Sequence, residues 1–273
     1  MRFIFNLIIV LSTINLSYAK DFENKFNFPG GIYIQEINSR QFNLGLDYKG
    51  ERVPTVQKNN KFYMIFGIPH GYNDNTEMVK LGYSGGHFII NPVSKKRTYG
   101  EQYIRISKKY TEPSKSNIER ILKEKYELDN IKKKWVLKDF DTDFILPVIG
   151  TISGQFGTRR FYNGKEGNFH NGVDFAANIG THIVSPSSGV VLMTGDFFYN
   201  GKFVYIDHGM NAKSIFIHMD ETTVKVGDVV KKGELIGYVG NTGKSTGPHL
   251  HWSLTLNAVY VDPMIFVNNS LFD

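Results

Sequence analysis

The chain contains no cysteine, which excludes disulfide staples, a lipid-modified cysteine and thiolate metal ligands. Any zinc must therefore be held by imidazoles and carboxylates. It contains no H-E-x-x-H, so the helix-borne zinc site of that motif is excluded too. There is no repeat at solenoid spacing and no low-complexity tract. The apolar stretch from Phe3 to Leu16 is interrupted by Asn6, Ser12, Thr13 and Asn15, and about 14 residues fall short of the ~20 that cross a bilayer. With Arg2 before it and Ser17-Tyr18-Ala19 after it, the stretch reads as a signal peptide cleaved after Ala19. Export follows, to the periplasm in a Gram-negative owner, with no stable membrane insertion after cleavage.

What is present is the composition of a folded protein. In 273 residues, 41% are hydrophobic, 14% aromatic and 21% charged, far from the signature of disorder and enough for a full core. The formal charge of +6 favours an anionic partner, which outside the cytoplasm points to a wall polymer or membrane surface rather than nucleic acid.

Three regions follow the predicted leader at 1–19. In 20–110, short apolar or alternating runs at Gly31–Ile34, Phe62–Phe66, Phe88–Ile90 and Tyr103–Ile106 are separated by Gly/Asn-rich turns, predicting a small β-sandwich domain. In 111–140, Ser116 and Glu119 form a capping-box signal. Ile118, Ile121, Leu122, Leu128, Ile131 and Trp135 recur at helical spacing, predicting a linking helix from about Asn117 to Lys134. In 141–273, glycines and short strands return with turn pairs at Gly227-Asp228 and Lys232-Gly233, predicting an antiparallel all-β domain. The fold class is mostly β.

Two motifs carry chemistry. In His249-Leu250-His251 both imidazoles project from one face of a strand while Leu250 faces the other way. In His170-Asn171-Gly172-Val173-Asp174 a carboxylate follows a histidine by four residues, with Gly172 allowing the backbone to turn. His170, Asp174 and one histidine of the H-x-H supply three ligands. Three protein ligands leave one position for water, the arrangement of a catalytic zinc.

From Leu146-Pro147 to Asp262-Pro263 the chain resembles the catalytic domain of the lysostaphin/LytM-type zinc metallopeptidases. The likeness rests on Gln155-Phe156-Gly157-Thr158-Arg159, His170-Asn171-Gly172-Val173-Asp174, Ile206-Asp207-His208-Gly209, Phe216-Ile217-His218-Met219, Gly240-Asn241-Thr242-Gly243 and Ser245-Thr246-Gly247-Pro248-His249-Leu250-His251, in order. The resemblance implies an all-β domain with a narrow groove and one zinc per chain held by His170, Asp174 and His251. It implies His218 and His249 as catalytic histidines, with the division of roles between them open. Phe216 stands where the family usually has tyrosine and Met219 where it has leucine, and altered groove packing is expected from both. Pro29 to about Asp129, including Phe66-Gly67-Ile68-Pro69 and Tyr99-Gly100-Glu101-Gln102, resembles the N-terminal β domain of Gram-negative cell-shape-determining members. The implied activity is hydrolysis of peptidoglycan stem-peptide cross-links, a D,D-endopeptidase with possible D,D-carboxypeptidase activity, in a monomer.

The remaining histidines carry blander expectations: His208 as a turn residue, and His70, His87 and His182 as structural or exposed. Arg159 is expected to anchor a loop through its fork of donors. A biotin- or lipoate-carrier reading of Val226–Gly237 fails for want of an acceptor lysine. A non-enzymatic wall-binding or amidase-activating protein is the other alternative, and it conflicts with the presence of all five site residues.

Overall fold

The computed structural model describes residues 25–72, 78–92, 95–267 and 271–272. The predicted leader lies outside them. Among the described residues no helix is long and apolar enough to cross a membrane.

Two small antiparallel sheets form the N-terminal part. One orders the strands Ile32–Ile37, Lys61–Gly67 and Thr55–Lys58, and the other orders Glu51–Val53, Leu46–Tyr48, Val79–Tyr83 and Gly86–Ile90. Ile37, Leu46, Val53, Met64, Phe66, Val79 and Leu81 fill the space between them, which is the sandwich the alternating runs predicted. The Lys61–Gly67 strand is apolar on both faces for a reason. Met64 and Phe66 belong to this core, whereas Tyr63 and Ile65 join Ile32 and Ile34 in the core of the C-terminal part. Alternate side chains of a strand point to opposite faces, so one strand serves two cores and ties the two parts together.

The C-terminal part is built on a ten-stranded sheet. Its central neighbours run Gly189–Phe197, Gly201–Asp207, Lys213–Thr222, His249–Leu256, Val173–Ala176 and Thr151–Gly154, each paired antiparallel with the next. Trp252, Leu250, Leu254, Phe175 and Phe216 lie beneath it, fully or nearly fully buried. Gly227 and Gly233 take positive φ at the two predicted turns, a conformation open to glycine at little cost.

Three local expectations are corrected. The strand expected over Tyr103–Ile106 as part of the sandwich is Glu101–Ile104, and it runs parallel to Arg159–Tyr162 of the C-terminal part. Pairing with a distant strand overrode the local pattern. The helix spans Lys115–Lys132, capped by Ser114, whose hydroxyl accepts the Asn117 N–H, rather than by Ser116. Only the C-terminal half of its stripe is seated: Leu128 and Ile131 pack with Phe203, Tyr205 and Ile215, while Ile118 and Leu122 remain exposed. Phe216 and Met219 are buried core residues, with Phe216 lying parallel to Trp252, so neither shapes the groove.

Candidate metal centre

Strand register brings the first ligand pair together. Asp174 sits directly opposite His251 across the antiparallel pair, and His251 is opposite Ile217 on its other side. His170 reaches the same point from the loop just before the Val173–Ala176 strand. Gly172 permits that approach, because a Cβ there would lie 2.4 Å from the Trp252 carbonyl oxygen and 2.8 Å from the His251 ring. The glycine therefore makes room for the imidazole, which is a different service from the turn expected of it.

The three candidate ligand atoms form a tight triangle. His170 Nε2 is 3.0 Å from Asp174 Oδ1 and 2.9 Å from His251 Nδ1, and His251 Nδ1 is 2.8 Å from Asp174 Oδ1. All three residues are buried. Ligand atoms around a tetrahedral ion with bonds of about 2.0–2.1 Å lie about 3.3 Å apart, close to this spacing.

Tautomers sharpen the assignment. His170 Nδ1 is 2.8 Å from the Gln155 carbonyl oxygen. A carbonyl only accepts, so His170 carries its proton on Nδ1 and turns the Nε2 lone pair inward. His251 Nε2 is 2.7 Å from Ser253 Oγ, and that hydroxyl donates to Asn171 Oδ1, so His251 donates from Nε2 and turns its Nδ1 lone pair inward. Burial lowers the His251 pKa to about 4, keeping the ring neutral at pH 7. Asp174 is held as an anion by the Arg160 guanidinium. Two imidazole lone pairs and an anion thus converge on one point, a donor set that fits zinc and leaves one side open.

The two further histidines flank that side. His218 sits in a β-bulge, where Ile217 and His218 together oppose Phe203, and takes a φ of 65°. The bulge re-aims its side chain toward the cleft. Its Nδ1 donates to the Thr242 carbonyl at 2.8 Å, leaving Nε2 as acceptor. Burial, with His249 and His251 beside it, lowers its pKa to about 3. His249 Nδ1 donates to the Gly247 carbonyl at 2.8 Å, and its Nε2 lies 3.9 Å from Asp174 Oδ1. The His218 and His249 ring centroids are 4.8 Å apart.

Sequence reasoning missed Arg160, Ser253 and Lys244. Arg160 Nη2 holds Asp174 Oδ2 at 2.5 Å and its Nε donates to Gln102 Oε1 at 3.0 Å, so Oδ1 is the oxygen left facing the imidazoles. A Cβ at Gly154 would lie 2.6 Å from Asp174 Oδ2 and 2.7 Å from Arg160 Nη2, which makes the glycine a condition of that ion pair. The signal for Ser253 was its place two residues beyond His251 on the same strand face. Arg159, which the sequence did single out, is exposed and forks to Glu101 and Glu166, anchoring the adjacent hairpin. His208 is fully buried and bonded to Ser214 Oγ. His70 stacks on Phe169 beneath the His170 loop. His87 and His182 are exposed.

Clefts of about 210 and 600 Å³ open on either side of this cluster. Arg160, Tyr162, His218 and Lys244 line both. Gln102, Ile104 and Ile106 form one wall of the smaller, so a segment expected in the N-terminal domain borders the site.

Two imidazoles, one carboxylate and an open fourth side in a groove make a candidate mononuclear metal site on an antiparallel β scaffold. Residues 168–263 match Peptidase family M23, so the C-terminal part of the chain carries a peptidase M23 domain. Peptidoglycan DD-endopeptidase ShyA of Vibrio cholerae is 41% identical over 114 residues, which are 41% of this chain and 26% of that protein. Lysostaphin of Staphylococcus staphylolyticus is 38% identical over 113 residues, 39% of this chain and 24% of the relative. The match thus spans about a quarter of each relative's length. The crystal structure of a putative peptidase M23 from Pseudomonas aeruginosa is similar over 88% of this chain and 94% of its own, at 28% identity and a TM-score of 0.70.

Proposed function

We propose that this chain is an exported zinc-dependent D,D-endopeptidase of peptidoglycan, cutting the bond between D-alanine and the diamino acid of a neighbouring stem, in wall remodelling and cell shape. On this reading 1–19 is a signal peptide, the protein works in the periplasm, and trimming of terminal D-alanine accompanies cross-link cleavage. The likeness to ShyA supports the substrate class. The observation that carries the chemistry is the triangle of His170 Nε2, Asp174 Oδ1 and His251 Nδ1, whose sides are 2.8–3.0 Å.

His170, Asp174 and His251 are the ligands in this proposal. Zinc bound there supplies a Lewis acid that acidifies water and polarises a carbonyl. The chain's own residues do the rest. His249 and His218 present neutral Nε2 atoms to the open side, because Gly247 and Thr242 carbonyls hold their Nδ1 protons. One of them takes the proton from the attacking water and returns it to the leaving amine, and the other takes up a proton at Nε2 from solvent in the open groove and donates that N–H to the developing oxyanion. Arg160 steadies the carboxylate throughout.

Zinc analysis of the purified chain and mass spectrometry of digested muropeptides test the proposal. One zinc per chain and release of monomers from D-alanyl-linked dimers are expected. A protein that carries its zinc and leaves every stem-peptide bond intact refutes the peptidase reading.

A further inference from the structure

Among the groups lining the two clefts, one has no role in the chemistry above. Lys244 borders both clefts, in the loop between Gly240 and His249. Its Nζ sits 3.4 Å from the centroid of the Tyr162 ring and 5.9 Å from that of Tyr199, and among the described residues it makes no ion pair and no hydrogen bond through Nζ. Aromatic faces attract a cation but do not neutralise it. Among the described residues the only carboxylate lining either cleft is Asp174, and Arg160 already pairs with it. Burial and the nearby Arg160 charge lower the Lys244 pKa to about 8, so the folded chain holds an under-compensated cation beside its metal site. By contrast, Lys61, Lys125 and Lys232 each meet a carboxylate. The cleft therefore supplies a cation for which the protein supplies no anion.

Resting on the peptidase reading, we propose that Lys244 is a specificity-determining residue that receives a carboxylate on the leaving-amine side of the scissile bond. The chemistry is shared by two substrates. In a D-alanyl–diamino acid cross-link, the carbon bearing the amide nitrogen also bears a free carboxylate, and in a terminal D-alanyl–D-alanine the leaving residue ends in one. Thr246 lines the smaller cleft close to Lys244 and offers a hydroxyl donor to the same group. On this proposal the chain prefers wall peptides that keep the carboxylate over those in which it is a carboxamide. An ammonium–carboxylate contact in a partly desolvated cleft gives discrimination of about tenfold to a hundredfold.

The test uses the zinc-loaded full chain and matched pairs of substrates, a D-alanyl-linked dimer and a pentapeptide stem, each with the carboxylate free or amidated. Wild type is expected to favour the free acid in kcat/KM by at least tenfold. Lys244→Met is expected to lose that preference through a larger rise in KM for the acids than for the amides, and Lys244→Arg to retain part of it. Preference confined to the dimer or to the pentapeptide tells which source the lysine serves. Equal rates for acid and amide in wild type, which needs no variant to fold, overturn the assignment, as does a folded Lys244→Met that keeps the preference. Cleavage without preference removes only the role of Lys244. Binding that prefers the acid, with no cleavage of either form, removes the peptidase reading and leaves the carboxylate site standing.

Discussion

Ser253→Ala tests the tautomer argument on which the metal centre depends. Ser253 is almost fully buried and its hydroxyl accepts from His251 Nε2 at 2.7 Å. Removing it leaves that N–H without a partner, at a cost of about 1–3 kcal/mol. Part of this cost falls equally on the metal-free and metal-bound protein and cancels in affinity. What remains is the loss of ring orientation, and outer partners of metal-bound histidines are worth about 10- to 100-fold in affinity, or about 1.4–2.7 kcal/mol. Zinc stabilises the fold by mass action, so the zinc-induced rise in Tm shrinks by about 3–10 °C, at 2–4 °C per kcal/mol for a domain of this size. Competition against a chromogenic chelator measures the affinity, and melting with and without zinc measures the linkage. A folded Ser253→Ala that holds zinc as tightly as wild type refutes the claim that Ser253 sets the inward lone pair of His251.

His249→Ala and His218→Ala are each expected to retain stoichiometric zinc and to lose at least about 100-fold in turnover on muropeptides, read by chromatography beside elemental analysis. Gly172→Ala drives a methyl into the Trp252 carbonyl and the His251 ring; it is expected to destabilise by about 1–3 kcal/mol and to release zinc, and normal metal content in this variant refutes the close-approach argument. His208 is held neutral by burial, with its pKa lowered to about 4 from 6.5. The unfolded chain takes up this proton below about pH 6.5 and the folded chain only below about 4, so stability falls with acid across that window, by at most about 3 kcal/mol. Urea midpoints at pH 7 and pH 4.5 are expected to drop less in a His208→Gln variant than in wild type. Ile65→Ala hollows the core shared by the two parts, and a loss of about 2–5 kcal/mol is expected in a single melting transition; two separate transitions in wild type refute the shared-strand account.

The strand-rich pattern, the turn glycines and the period-2 spacing of His249 and His251 could be read in the sequence, because each depends on residues within a few positions of one another. So could the candidacy of His170 and Asp174, since imidazole and carboxylate are the zinc ligands open to a chain without cysteine, whereas His218 was legible only through the family resemblance. Tertiary structure decided which lone pairs turn inward, because that depends on Gln155, Ser253, Thr242 and Gly247 being brought against ring nitrogens 2 to 24 residues away by the local fold of loops and strands. It decided that Arg160 and not Arg159 holds the ligand carboxylate, a choice between neighbours set by the two faces of one strand. It also decided that Glu101–Ile104 leaves the sandwich to border the groove. Composition and spacing say what chemistry a chain can perform, and long-range pairing of strands selects the atoms that meet to perform it.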